Sequence, residues 1–230
     1  MKEVMSKMYC KDIISVYGLT ESSPGMSATR TSDSAEIRAT TVGRELPFVE
    51  VKVLDPETNE EVPRGVQGEL CCKGYNIMKG YYKNPEATAA VIDENGFLHS
   101  GDLGTMDEQG YIRVTGRIKE MIIRGGENIY PREIENFLYQ MPEIEAVEVA
   151  AIPSPKYGEE VGAFIRVRKG MSLSEEDVTM YCRGKIARYK IPKYIFMVDE
   201  FPMTASGKIQ KYKLKDVGLK ILAERGVTVV

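Results

Sequence analysis

The chain has 230 residues, of which 43% are hydrophobic and 28% charged, with a formal net charge of -3. This is the composition of an ordinary globular protein with one large or two small domains, and it gives no electrostatic basis for binding nucleic acid or an anionic membrane. No run of 18 apolar residues is present, so no membrane span is expected.

Residues 1–41 open with a helical pattern (Val4, Met5, Met8), followed by the apolar run "IISVY" and the turn-like "GLTESSPG". The opening has no apolar stretch joined to a small-residue cleavage site, so it does not read as a secretory signal. An apolar strand feeding a hydroxyl-rich loop is the geometry of an α/β sheet edge, where ligands commonly bind. Such a sheet needs further strands, so the sequence is expected to be part of a longer protein.

Residues 42–116 read as short strands, "FVEVKVLD", "GELCCKG", "GFLHSGDLGTM" and "GYIRVTG", separated by closely spaced glycines. That texture predicts a small β-barrel-like subdomain or a strongly bent sheet. After Gly116 the pattern changes. "EMIIRGGENIY" predicts a hairpin turning at Gly125-Gly126. Pro131 opens a helix with Ile134, Phe137, Leu138 and Met141 on one face, which Pro142 stops. "AVEVAAI", "VGAFIRVR" and "YIFMV" predict strands, and Ser172 with Glu175 predicts the capping box of a helix carrying Val178, Tyr181, Cys182 and Ile186. The fold class is therefore α/β and α+β. Residues 1–116 form a first part (1–41 a sheet segment, 42–116 barrel-like), and residues 117–230 form a compact α+β domain joined to it around "GRIKE".

Cys10, Cys71, Cys72 and Cys182 have no metal-ligand or CxxC spacing, and a chain this long does not need disulfides. They read as buried thiols in a reducing, cytoplasmic compartment. Cys71 and Cys72 are neighbours on a strand and should point to opposite faces. His99 is the only histidine, which excludes a multi-histidine metal site, and no GxSxG elbow accompanies it.

Several short stretches could carry chemistry. In "YGLTE", Tyr17 offers an aromatic face, Thr20 a hydroxyl for a phosphate oxygen and Glu21 a hard carboxylate for Mg2+, although the same letters also describe a capped turn. Asp102, in "HSGDLG", could accept two hydrogen bonds from a ribose diol or form an Asx-turn. Arg117 and Lys119 sit where the texture changes: Arg117 reads equally as a solvated interdomain ion pair, and a charge at Lys119 could serve as a hinge near 117–119 that exchanges partners. "PREIE" places acids in the first turns of a helix, a structural arrangement. "FPMTASGKIQK" holds Lys208 in a tight polar turn.

The order and spacing of "YGLTE", "GELCCKGYNIMKGYYKNPEAT", "SGD", "GRIKEMIIRGGENIYPREIE" and "PMTASGKIQK" strongly resemble the adenylate-forming superfamily of acyl-CoA synthetases, adenylation domains and luciferases. The wording "MIIRGGENIYP" and "YKIPKY" is most similar to the fatty acyl-CoA ligase branch. The family's T-S-G-T-T-G-x-P-K-G phosphate loop is not in this sequence, and the resemblance implies the end of the large domain plus the whole small C-terminal domain, with the isolated chain inactive.

The resemblance implies that a fatty acid attacks the α-phosphate of ATP to give acyl-AMP, and that the thiol of CoA then displaces AMP. It further implies that Tyr17, with Gly18 beside it, stacks on adenine, Thr20 holds phosphate, Glu21 binds Mg2+, and Asp102 and Arg117 grip the ribose. Lys208 becomes the catalytic cation of adenylation. Lys119, at a position where some relatives have aspartate, becomes the hinge about which the small domain turns, and Gly125 and Gly126 meet the pantetheine arm of CoA. Two other readings are an aryl-acid ligase or adenylation domain of the same superfamily, weakened because no carrier segment follows Lys215, and a non-catalytic nucleotide- or CoA-binding module.

Overall fold

A computed structural model describes residues 2–227 and 229, and the chain divides into two compact units, Met1–Ile118 and Lys119–Val230. In the first unit, α1 (Lys2–Lys7) precedes a small antiparallel sheet of β1 (Val16–Tyr17), β2 (Ser27–Ala28) and β3 (Arg44–Glu45), in the order β1-β2-β3, with α2 (Ala35–Thr40) between β2 and β3. Only the last two residues of the apolar run "IISVY" pair as a strand, so the sheet segment is shorter than its composition suggests. Ser34 caps α2, its Oγ accepting from the Ile37 amide.

A second sheet follows, built from β4 (Val49–Leu54), β5 (Gly68–Gly74), β6 (Leu98–Met106) and β7 (Ile112–Arg117), all antiparallel in the order β4-β5-β6-β7, with the short α3 (Pro85–Ala89) inserted before β6. The strands fall where the sequence places them, but the sheet is open and the expected barrel does not close. Four strands are too few to curl a twisted sheet onto itself; small closed barrels commonly need about eight. In β4, Val49, Val51 and Val53 face inward while Glu50 is exposed, the alternation of a half-buried strand. In β5 both faces are covered: Cys72 packs with Leu70, Leu98 and Ile112, whereas Cys71 packs with Leu54 and Phe97. The neighbouring thiols thus enter different cores, as strand alternation requires.

The second unit contains β8 (Ile122–Arg124), β9 (Glu127–Ile129), α4 (Pro131–Leu138), β10 (Ile144–Ser154), β11 (Gly158–Val167), α5 (Glu175–Cys182), β12 (Tyr194–Met197) and α6 (Leu214–Glu224). Its sheet runs β10-β11-β8-β9, with β12 parallel to β11. Val161, Ala163 and Ile165 on one face of β11 pack with Ile134 and Leu138 of α4 and Val178 and Cys182 of α5. Phe164, on the other face, packs with Phe196 and with Leu214 and Leu222 of α6. One sheet therefore carries helices on both faces.

Two boundaries differ from expectation. The capping box is made by Ser174 and Asp177 rather than Ser172 and Glu175, because the Ser174 hydroxyl accepts from the Asp177 amide at 3.1 Å while Asp177 accepts from the Ser174 amide at 2.9 Å. The helix accordingly ends at Cys182, leaving Ile186 beyond it. Helix α4 ends at Leu138, and Met141 is buried from the turn that follows, before Pro142 can act as a stop.

Helix α6 approaches its sheet closely through Gly218, where an added Cβ would lie 2.7 Å from Ile152 Cδ1 and 3.0 Å from Phe164 Cζ. Overpacking of this kind costs about 1–3 kcal/mol. Gly218→Val is expected to lower stability by that amount in urea unfolding. Gly218→Ala should cost less, since alanine recovers about 1 kcal/mol of helix propensity over glycine; an unchanged midpoint for the valine variant would contradict this packing.

Candidate functional site

The first unit brings together three residues that are distant in sequence. Asp102 is buried, and its carboxylate accepts from Arg117 Nε at 2.7 Å through Oδ1 and from the Tyr17 hydroxyl at 2.9 Å through Oδ2. Asp102 and Arg117 are cross-strand partners in β6 and β7, so sheet register sets their meeting. Burial, reinforced by the Asp102 charge, pushes the Tyr17 phenol well above its ordinary value, so it remains a donor to the carboxylate. The Arg117 side chain is 63% exposed. A carboxylate has about four lone-pair positions. Two are used here, which leaves acceptor capacity for a diol.

The β6 segment carrying Asp102 is held from behind, at an irregularity in the β5–β6 register. Gly101, at φ +72°, donates its amide to Glu69 Oε1 at 2.7 Å, and Glu69 Oε2 lies 2.8 Å from His99 Nδ1. Cys71 Sγ is 3.4 Å from the same nitrogen, and Asp93 Oδ2 is 3.8 Å from His99 Nε2. Donor atoms of Glu69, Cys71 and His99 lie within 4.8 Å of one another. They already satisfy one another, and burial pushes the Cys71 thiol far up, so the group acts as a brace for the Gly101-Asp102 stretch of β6.

The "YGLTE" segment is also fixed by its fold. An added Cβ at Gly18 would lie 1.7 Å from the Pro24 carbonyl oxygen, so the returning loop excludes every side chain there. Thr20–Ser22 form a 3-10 turn in which the Ser22 hydroxyl accepts from the Leu19 amide. The buried Asn76 amide donates to the Ser22 and Gly25 carbonyls, clamping both ends of the loop. Glu21 accepts from the Tyr81 hydroxyl at 2.8 Å, and Thr20 is exposed with no side-chain partner among the described residues. Neighbouring hydroxyl and carboxylate oxygens suit Mg2+, which takes few protein ligands and keeps water or phosphate oxygens for the rest.

In the second unit, Gly125 and Gly126 form the two-residue turn between β8 and β9, with φ of 59° and 91°. Consecutive left-handed residues are what a tight hairpin of this type needs. The Gly125 amide donates to the Tyr157 carbonyl at 2.9 Å, and nothing lies within 4 Å of an added Cβ at Gly126. Arg124 pairs with the buried Glu160 and covers the Tyr157 ring at 4.2 Å, anchoring the hairpin to β11.

Lys208 lies on an ordered turn. Met203 and Ile209 form an isolated bridge, the Thr204 amide donates to the Lys208 carbonyl at 2.8 Å, and the Lys208 amide donates to Thr204 Oγ1 at 3.1 Å. Gly207 takes φ +79°. The Lys208 side chain is exposed, and its ammonium has no ion-pair partner among the described residues. Lys119, also exposed, belongs to a 3-10 turn, Ile118–Glu120.

The sequence profile of AMP-binding enzymes matches residues 1–82, and that of the AMP-binding enzyme C-terminal domain matches residues 133–208. The chain belongs to the adenylate-forming superfamily. Among similar superfamily members, YngI of Bacillus subtilis (strain 168), provisionally named an acyl-CoA synthetase, is 55% identical over 216 residues, covering 94% of this chain and 39% of YngI. The mitochondrial medium-chain acyl-CoA ligase ACSF2 of Rattus norvegicus is 41% identical over 216 residues, covering 94% of this chain and 35% of ACSF2. The crystal structure of ATP-bound MatB from Rhodopseudomonas palustris matches with a TM-score of 0.85 at 36% identity, covering 91% of this chain and 41% of MatB. The chain thus spans well under half the length of these relatives. Among its described residues, no helix is long and apolar enough to cross a membrane.

Sequence reading did not single out Glu69, His99 or Asn76 as supports of the superfamily motifs, nor Tyr81 as the partner of Glu21. All four sit inside quoted stretches, but their partners are set by register and loop closure. Replacing Tyr17 with Phe removes one of the two side-chain hydrogen bonds to a buried carboxylate. Hydrogen bonds to charged groups are worth about 1.5–3 kcal/mol. Tyr17→Phe is expected to destabilise the first unit by that amount in denaturant melts, and a loss below about 0.5 kcal/mol would show that the bond does not hold Asp102.

Proposed function

We propose that this chain carries nucleotide- and CoA-handling parts of an ATP-dependent fatty acid–CoA ligase. The observation that carries the reading is the convergence of Tyr17 and Arg117 on a buried Asp102 that keeps acceptor capacity, in a member of the AMP-binding superfamily. The printed names of its relatives, an acyl-CoA synthetase and a medium-chain acyl-CoA ligase, support the substrate class. Four free thiols support a reducing, cytoplasmic setting.

The reaction has two steps. A carboxylate oxygen of the acid attacks the α-phosphorus of ATP, the bond to the β-phosphate oxygen breaks, and pyrophosphate leaves. The CoA sulfur, as thiolate, then attacks the acyl carbon, and AMP departs with the electrons of the acyl–oxygen bond. Tyr17 offers its ring to adenine beside Gly18, Asp102 accepts from the ribose hydroxyls, and Arg117 holds that carboxylate in place through its 2.7 Å contact. Thr20 donates to phosphate. Glu21 would hold Mg2+, which when bound supplies positive charge to the phosphates.

Lys208 supplies cationic charge where carboxylate and phosphate oxygens meet. A lysine ammonium is a compact charge on a long stem, able to serve two oxygens at once. Its lack of a competing partner supports that task. In the thioester step, Gly125 and Gly126 allow the pantetheine arm to pass close to the backbone, and Lys119 is the hinge that exchanges the two working arrangements. Gating motions of this type commonly separate half-reactions.

A full-length enzyme carrying these residues should lose acyl-AMP formation on Lys208→Ala by roughly 10²–10³-fold, the effect of removing a preorganised charge-stabilising donor. Thioester formation from supplied acyl-AMP should be largely spared. Equal losses in both half-reactions would remove the assigned role. The 230-residue chain contains no T-S-G-T-T-G-type loop to hold the triphosphate, and it is expected to release no pyrophosphate from ATP and fatty acid by itself. Calorimetry with AMP tests whether it nevertheless binds nucleotide, and turnover in the same sample would overturn the expectation.

A further inference from the structure

Lys208 and Lys211 are three residues apart and have opposite surroundings. Lys211 lies in the 3-10 turn Lys211–Lys213 that leads into α6. Its ammonium is 2.6 Å from Glu135 Oε1 on α4, 3.2 Å from Glu148 Oε2 on β10 and 3.2 Å from Glu120 Oε2, the residue after Lys119. Glu135 Oε1 also accepts from the Val149 amide at 2.9 Å, so the carboxylate nearest the ammonium is itself fixed to the sheet.

We propose that Lys211 is the positioning residue for Lys208: one ammonium shared by three carboxylates pins the base of the Lys208 turn to α4, β10 and Glu120. Its catalytic consequence rests on the role given to Lys208 above, whereas the pinning stands on geometry alone.

Three observations lead to this assignment. First, the turn is stiff above the pin. The Gln210 amide donates to the Pro202 carbonyl at 2.7 Å, and Met203 bridges Ile209, so the backbone from Lys208 to Lys211 has little freedom to absorb movement at its base. Second, the pin is over-supplied with acid. Burial works against the charge on Lys211, but Glu135, Glu120 and Glu148 outweigh it and hold its proton more firmly than an ordinary lysine's; burial at the same time raises the Glu148 carboxyl. An ion pair retained for stability alone needs one carboxylate, whereas three acids from separate segments fix a position in three directions. Third, Glu120 follows the proposed hinge directly, so the segment at the start of the second unit and the turn bearing Lys208 share one anchor. A site group must be held within about 0.5 Å of its working position to be effective, and its supporting contacts determine whether it is. The free stem of Lys208 can be useful only if its backbone does not wander.

Lys211→Met alone would leave three acids facing one another and could unfold the unit. The informative variant is therefore Lys211→Met with Glu120→Gln and Glu148→Gln, which keeps Glu135 and its bond to Val149. In the 230-residue chain, its amides from 203 to 210 should exchange with deuterium at least tenfold faster, trypsin should cut after Lys208 correspondingly faster, and exchange in β10 and β11 should be unchanged. Unchanged exchange in the turn, or acceleration spread evenly over the second unit, overturns the proposal. In a full-length enzyme carrying these residues, the triple variant should slow adenylation at least tenfold in kcat with little change in KM for ATP, spare the thioester step, and leave Lys211→Arg partly active. If adenylation is unaffected while Lys208→Ala abolishes it, the positioning role fails. If neither change slows adenylation, the Lys208 reading fails instead, and any faster exchange of the turn still reports the pin.

Discussion

A carboxylate taken out of water must find donors, and Asp102 finds them on two segments that the chain separates by 85 and 15 residues. Tyr17 comes from the end of β1 and Arg117 from the end of β7. Neither contact can form until the strands are in register. The requirement to satisfy one buried acid thereby closes the loop after β1 against the open sheet, and it leaves the acid fixed and still able to accept. Glu69 repeats the device one layer back, using one oxygen for the Gly101 amide and the other for His99.

The second unit applies the same physics to cations. Lys211 is surrounded and immobilised, while Lys208 is left free at the tip of a stapled turn. A lysine loses its freedom wherever carboxylates gather, so a reactive lysine near acids has to be kept from them. Placing the acids under Lys211 and the turn between the two residues separates the structural charge from the available one. Glycine has the complementary part. At Gly126 and Gly207 the left-handed backbone turns the chain in open space, whereas at Gly18 the returning loop leaves no volume for a side chain.

Much of this was legible in the sequence because its signals are local. Alternation in "FVEVKVLD" and "VGAFIRVR" marked strands, paired glycines marked the hairpin, and Pro131 marked the start of α4. The opposed thiols of Cys71 and Cys72 followed from strand geometry alone. The capping box slipped by two residues because Ser172 and Ser174 are each followed, three positions on, by an acid, and only backbone geometry decides which pair closes. The expected barrel is an open sheet because closure depends on how many strands curl together, which local alternation does not encode.

By itself the sequence determined the superfamily, the mixed fold class and the order of the motif residues, since these reside in short-range patterns and spacing. Tertiary structure alone decided which charges meet. Tyr17 with Asp102, Tyr81 with Glu21, and Glu120, Glu135 and Glu148 with Lys211 are pairings between segments far apart in the chain, and "PREIE" did not announce that its second glutamate turns inward to a lysine 76 residues away. Coulombic and hydrogen-bond partners act over a few ångströms of space and are indifferent to chain separation, so they became visible only when folding had set the distances.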